Sequence, residues 1–247
     1  MGCRVDLIPN TSEGGLGGSK DNNVYGPIVF PTDLSATAQT VVFRVDENCL
    51  DEKTKSGKQC ILGNVTITRD PIGVWRDNFC ERRGANRLFM CAAGRGHAGQ
   101  DIWGDWKNKP GVYPIFSVAD GVAFRRFPRQ PAVTVSDVDV TNIDYIYRHM
   151  RPSVLSAHGI RQATPTIVKR GCEIALVDQL QNVTTKKTGL IDGNTYYEPT
   201  AVHVHFEIRV PTKSGFQYVS PYETIITAHR NALTGTAGFV GKRHCSH

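Results

Sequence analysis

Val202-His203-Val204-His205-Phe206-Glu207-Ile208-Arg209 alternates apolar and polar residues without a break. Side chains on a β-strand point to opposite faces with period two. Val202, Val204, Phe206 and Ile208 therefore share one face, which reads as the core face. His203, His205, Glu207 and Arg209 share the other. Two imidazoles at positions i and i+2 of one strand face reach a single metal ion or a single bound water. Bare histidine pairs also occur on ordinary polar strand faces, so this spacing alone leaves both readings open. Glu207 either orients a neighbouring ligand or forms a structural ion pair, and Arg209 carries the same ambiguity.

The neighbouring sequence also reads mostly as strands. Residues 115–119 and 122–124 are short apolar runs separated by Asp120-Gly121, a dipeptide that predicts a hairpin turn. Residues 132–135, 143–149, 166–168 and 173–177 are further strand candidates, as are the β-branched runs 40–45 and 60–67 on either side of a charged stretch. Ser220-Pro221-Tyr222-Glu223 predicts the one clear helix start, with serine as N-cap, proline at the first helical position and glutamate closing a capping box, running to about residue 231. The fold class expected is mainly β, with antiparallel sheets and few short helices.

Composition agrees with this and removes other classes. The chain has 247 residues, 40% hydrophobic and 21% charged, enough apolar material for a core. No apolar run approaches the ~20 residues a membrane helix needs. The formal net charge is +6, which favours anionic partners, but basic residues are scattered in pairs such as Arg82-Arg83 and Lys186-Lys187 and do not predict nucleic-acid binding. Seven cysteines include no C-x-x-C. Cys49 with Cys60 and Cys80 with Cys91 have the separation of bridged hairpins, which predicts two disulfides and an oxidising compartment. The start, Met1-Gly2-Cys3-Arg4, lacks the apolar segment of an export signal, so export implies a signal already removed.

Two more segments carry chemistry. In Gly96-His97-Ala98-Gly99-Gln100-Asp101-Ile102, imidazole and carboxylate stand four apart in a Gly-rich turn, and both are good Zn²⁺ ligands. Gly94, Gly96 and Gly99 also spell G-x-G-x-x-G. The dinucleotide fingerprint requires an amphipathic helix next, and Asp101-Ile102-Trp103-Gly104-Asp105-Trp106 has no helical period. In Tyr145-Ile146-Tyr147-Arg148-His149-Met150, strict alternation places Tyr145, Tyr147 and His149 on one strand face. No H-E-x-x-H occurs, so a helix-borne glutamate base is not available.

Taken in order, His97-x-x-x-Asp101, Tyr147-x-His149 and His203-x-His205-Phe206-Glu207 resemble the M23 (lysostaphin/LytM-type) zinc metallopeptidases. Residues 96–102 look like that family's HxGxDI, 114–122 like its PVYAaaDGvV, and 168–175 like its VkkGdxIa. The likeness covers roughly residues 86–230. It implies a grooved, antiparallel β fold in which His97, Asp101 and His205 bind Zn²⁺ while His149 and His203 are the catalytic histidines. It also implies hydrolysis of stem or cross-link peptides of bacterial peptidoglycan, and a periplasmic or secreted location. The chain departs from the family pattern in two places. A long polar stretch, 179–200, precedes His203, and an insertion containing His158 follows His149, so substrate preference is not carried over.

The organisation expected is a flexible arm (1–24), a β-rich accessory region of open role (25–85), the peptidase-like domain (86–231) and a tail (232–247) whose His244, Cys245 and His247 read as disordered sequence. A protein regulator is left open as a partner. The competing reading is a non-catalytic relative that binds wall polymer or activates an amidase.

Overall fold

The computed structural model describes residues 21, 23–33, 79, 97–102, 111–125, 132–137, 142–150, 159–160, 164–178, 180–182, 190–192, 195–199 and 202–235. Twelve strands and one helix lie among them: β1 (Gln100–Ile102), β2 (Pro114–Phe116), β3 (Gly121–Arg125), β4 (Ala132–Asp137), β5 (Asp144–Arg148), β6 (Thr166–Val168), β7 (Glu173–Leu176), β8 (Leu180–Asn182), β9 (Leu190–Asp192), β10 (Thr195–Pro199), β11 (Val204–Thr212), β12 (Gly215–Val219) and α1 (Tyr222–Leu233). The expected class is observed: antiparallel β sheets with a single helix among the described residues.

The main sheet runs β1-β11-β5-β4-β3-β6, with β12 also paired to β11. The alternating strand quoted above, β11, pairs with β1, β12 and β5. Val204, Phe206 and Ile208 are fully buried, and β5 supplies their partners: Tyr147 lies opposite Phe206, and Tyr145 opposite Ile208. The Tyr147 ring meets Phe206 edge-on at 5.2 Å between centroids, a favoured aromatic geometry. Its hydroxyl accepts a hydrogen bond from the Val118 amide at 2.8 Å, so the buried polar tip is satisfied. Burial of each such ring stabilises the fold by about 2–3 kcal/mol.

The chain segment 28–32 belongs to this core. Ile28 and Phe30 pack in the same cluster as Val204, Phe206 and Ile225. The Val29 amide donates to the Val118 carbonyl, the Phe116 amide donates to the Pro31 carbonyl, and Thr32 bridges Ile115. On α1, Tyr222, Ile225, Ile226 and His229 are buried at helical spacing and cover the core. Acidic Glu223 in its first turn and basic Arg230 in its last suit the helix dipole.

Two local expectations are corrected. Asp120-Gly121 does not close a hairpin: β2 pairs with β7, while β3 pairs with β4 and β6. The corner instead passes the chain between two sheets, and the Asp120 carboxylate fixes it by accepting from the Arg170 amide at 2.7 Å. The helix cap is Pro221, not Ser220; the Ser220 hydroxyl still accepts from the Tyr222 amide at 3.3 Å. The polar stretch before His203 contains the three-stranded sheet β8-β10-β9.

Cys172 is buried and disulfide-bonded. The expected pairs Cys49–Cys60 and Cys80–Cys91, the runs 40–45 and 60–67, His158, and the tail residues His244, Cys245 and His247 lie outside the described residues.

Candidate metal centre

Strand register assembles the cluster. β1 runs antiparallel to β11 with Asp101 directly opposite His205, so the carboxylate and the imidazole project side by side from one face. Gly99 lets the two strands close up: a Cβ there would collide with the carbonyl oxygen of Phe206. The turn before β1 then brings His97 onto the same point. His97 Nε2 lies 3.1 Å from Asp101 Oδ1 and 2.8 Å from His205 Nδ1, and His205 Nδ1 lies 2.9 Å from Asp101 Oδ1. All three side chains are buried.

His203 precedes β11 and projects from the same face as His205, as alternation requires. Its Nε2 is 3.3 Å from Asp101 Oδ1. His149 reaches the cluster by a route that alternation does not give. Tyr145 and Tyr147 face the core, so a continued strand would turn His149 inward with them. Instead β5 ends at Arg148, and His149 takes a left-handed backbone conformation, φ 66°. This swings its ring to the other side, 4.5 Å from the His203 ring and 5.8 Å from the His205 ring. The expected common face for Tyr145, Tyr147 and His149 is thus corrected, while the histidine itself joins the group. A non-glycine residue at positive φ is uncommon and is stored strain of about 1–3 kcal/mol.

The remaining two residues of the polar face resolve differently. Arg209 pairs with Asp144 across β5 and lies over the Phe216 ring, 4.2 Å from its centroid; it is a structural pair. Glu207 Oε1 is 2.9 Å from His205 Nε2. Arg148, opposite His205 on the other side of β11, donates to both Glu207 oxygens at 2.7 and 3.1 Å. The sequence gives no local sign of Arg148; only cross-strand register places it there.

The electrostatics follow from burial against pairing. Burial alone would raise the Asp101 carboxyl, but the charges of His97 and His203 and hydrogen bonds from His203 and His205 outweigh it and hold the group well below its usual range. Burial pushes His205 down, and its bonds to Asp101 and Glu207 more than reverse this. Burial raises Glu207, yet Arg148 and then His205 bring it down to about 2.

This donor set fits a metal ion. Three ligand atoms from His97, Asp101 and His205 converge, and a carboxylate oxygen facing two ring nitrogens is held together only by protons or by a cation. Four-coordinate zinc with bonds of ~2.0–2.1 Å keeps its ligand atoms about 3.3 Å apart. The observed separations of 2.8–3.1 Å need only a few tenths of an ångström of expansion. Two imidazoles and one carboxylate are donors of the kind that zinc takes.

Fold and cluster together define a mainly β protein with a buried His-Asp-His group suited to a metal cation. No family model matches the sequence, and no curated protein matches it. Several solved structures are similar. LytM from Ruminococcus gnavus is 20% identical, with 60% of this chain and 50% of that chain covered, at a TM-score of 0.39. The catalytic domain of the prophage-encoded M23 protein EnpA from Enterococcus faecalis is 21% identical over 59% of this chain and 86% of that one, TM-score 0.35. The antimicrobial peptidase lysostaphin from Staphylococcus simulans is 16% identical over 60% and 51%, TM-score 0.34. The match therefore spans about half the length of the Ruminococcus and Staphylococcus chains.

Proposed function

We propose that this chain is an M23-type zinc endopeptidase that hydrolyses stem or cross-link peptides of bacterial peptidoglycan, working in the periplasm or outside the cell. The reading rests on one observation above all. Residues from three separate parts of the chain, His97 and Asp101, His149, and His203 with His205, meet in one cluster, in the order of the motifs that resemble that family. Wall polymers are anionic, which suits a net charge of +6. Among the described residues no helix is long and apolar enough to cross a membrane.

His97 Nε2, Asp101 Oδ1 and His205 Nδ1 are the atoms that hold the metal in this proposal. Zinc there would act as a Lewis acid, polarising a peptide carbonyl and acidifying water. The chain's own contribution is proton handling. His203 Nε2 already lies beside Asp101 Oδ1, so it takes up a proton released at the cluster as a general base. The His149 ring lies against His203, tilted by 48°, and is only partly buried. It supports the developing oxyanion or returns a proton to the leaving amine. Positioned acid–base groups of this kind contribute about 10²–10⁴-fold in rate.

Muropeptide analysis by mass spectrometry tests the proposal. Wild-type protein incubated with purified sacculi releases products of peptide-bond cleavage, and carries one zinc per chain by elemental analysis. His203→Ala lowers the rate by about 10²-fold or more while keeping zinc; Asp101→Ala loses both. Intact wall peptides after wild-type treatment, with wall binding that survives His203→Ala, would mark a non-catalytic binder instead.

A further inference from the structure

A strained backbone persists only where its surroundings fix it, so the left-handed turn at His149 needs a holder. The holder comes from the small sheet of β2 and β7, which lends no side chain to the cluster. The chain just past β7 runs antiparallel to the chain just past β5. Met150 bridges Val177, and the Asp178 amide donates to the His149 carbonyl at 2.9 Å. Val177 is gripped in turn from its other side. Its amide donates to the Tyr113 carbonyl at 2.8 Å, and its carbonyl accepts from the Gly111 amide at 2.6 Å. Met150 and Val177 both belong to the main core, and Met150, Val177 and Asp178 have at most 1% of their surface exposed. An amide buried in this way has no water to turn to if its acceptor moves off.

We propose that Val177-Asp178 is a positioning clamp for His149, in which the Asp178 amide holds the His149 carbonyl and so aims the imidazole at His203. Two anchors flank the turned residue. On its N-terminal side Arg148 is still in register with His205 on β11. On its C-terminal side Met150 is seated in the core against Val177. Between them the peptide has two choices. It can continue as regular strand, with the ring beside Tyr147, or turn at φ 66° with the ring 4.5 Å from His203. The bond from Asp178 favours the second. The cluster is thus built by two sheets: the main sheet supplies the ligand residues, and the small sheet sets the direction of the histidine beside them. The effect on hydrolysis rests on the peptidase reading above; the backbone geometry does not.

The test compares two substitutions in the full chain. Asp178→Pro removes the amide hydrogen and sets a ring carbon in its place. Asp178→Ala removes the same carboxylate, keeps the amide and serves as the reference. At positive φ the amide and α hydrogens of one residue lie close together, so the intraresidue cross-peak of His149 in NMR is strong. The clamp predicts a strong cross-peak in wild type and in Asp178→Ala, and a weak one in Asp178→Pro. On purified sacculi, Asp178→Pro should have a kcat about tenfold below that of Asp178→Ala, the shift that one lost hydrogen bond brings. KM should agree within twofold and zinc content should be unchanged, since β1 and β11 hold the ligand residues. A weak cross-peak in wild type, or a strong one in Asp178→Pro, overturns the clamp. So does a weak cross-peak in Asp178→Pro with undiminished kcat, or a loss of zinc alongside kcat, which marks general loosening. If Asp178→Pro does not fold, the scalar coupling across the hydrogen bond from the Asp178 nitrogen to the His149 carbonyl carbon decides in wild type: its presence supports the clamp and its absence overturns it. Wild-type protein that leaves wall peptides intact, with the cross-peaks as predicted, overturns the peptidase reading and leaves the clamp standing.

Discussion

His149 shows how one backbone angle decides the composition of the cluster. In a regular strand it would point into the core beside Tyr147; at φ 66° its ring packs against His203 instead. Glycine tolerates this conformation at no steric expense, whereas alanine does not. Both His149→Gly and His149→Ala remove the ring and should abolish hydrolysis, but the glycine variant should be more stable than the alanine variant by about 1 kcal/mol in urea unfolding. Equal stabilities would mean that the backbone there relaxes freely. A second histidine matters for a different reason. His229 on α1 is buried edge-on against Phe30 at 5.0 Å, and burial brings it down to about 4 from 6.5. Between those values the unfolded chain binds more protons than the folded one. Stability from this residue is therefore complete above pH 6.5 and lost as pH falls toward 4, by no more than about 3 kcal/mol. His229→Gln should show a smaller drop in unfolding free energy than wild type between pH 7 and pH 4.5.

At the scale of elements, the pairing of β1 with β11 carries the site. β11 is legible in the sequence because its alternation is strict and its two faces differ in kind. β1 is not: Gln100-Asp101-Ile102 is too short to show a period, and only its ligand spacing draws the eye. The stretch 179–200 hides its strands for the same reason, since its polar composition masks β8, β9 and β10. Even so, Asp192-Gly193 at the end of β9 is a recognised hairpin signal. Asp120-Gly121 misleads in the opposite direction, because a turn dipeptide specifies a bend and not which strands pair beyond it. The close approach at Gly99 gives a direct test of the β1–β11 contact. Gly99→Ala must push β1 away from Phe206, costing about 1–3 kcal/mol, and should weaken zinc at least tenfold because Asp101 moves with the strand. Gly121→Ala meets a comparable obstruction at the Ser136 carbonyl on β4, remote from the cluster. It should lower stability similarly with zinc affinity unchanged. A loss of affinity in both would show general loosening of the sheet.

At the scale of the whole molecule, the motifs mark where the chemistry is and understate how much chain is needed to hold it. Every ligand candidate and both further histidines were readable from residues 97–205, because metal and acid–base chemistry restrict residue type and spacing. The supporting core is less restricted, and any apolar side chain of suitable shape serves. Residues 28–32 carry no motif, yet Phe30 is fully buried against the same cluster as Phe206 and Ile225, and the Pro31 carbonyl and Val29 amide are tied to Phe116 and Val118. Removing a buried phenylalanine leaves a cavity and costs about 3–5 kcal/mol, a large share of the ~5–15 kcal/mol that holds a typical domain together. Phe30→Ala should therefore lower the unfolding free energy measured in urea by that amount while leaving the ligand residues untouched. A chain starting at residue 86, where the motif resemblance begins, lacks Ile28, Phe30 and the backbone bonds of 29–32 together, and should show no cooperative unfolding transition. If that shorter chain unfolds with the wild-type midpoint, the N-terminal segment is only laid on the surface of the core and does not help to build it.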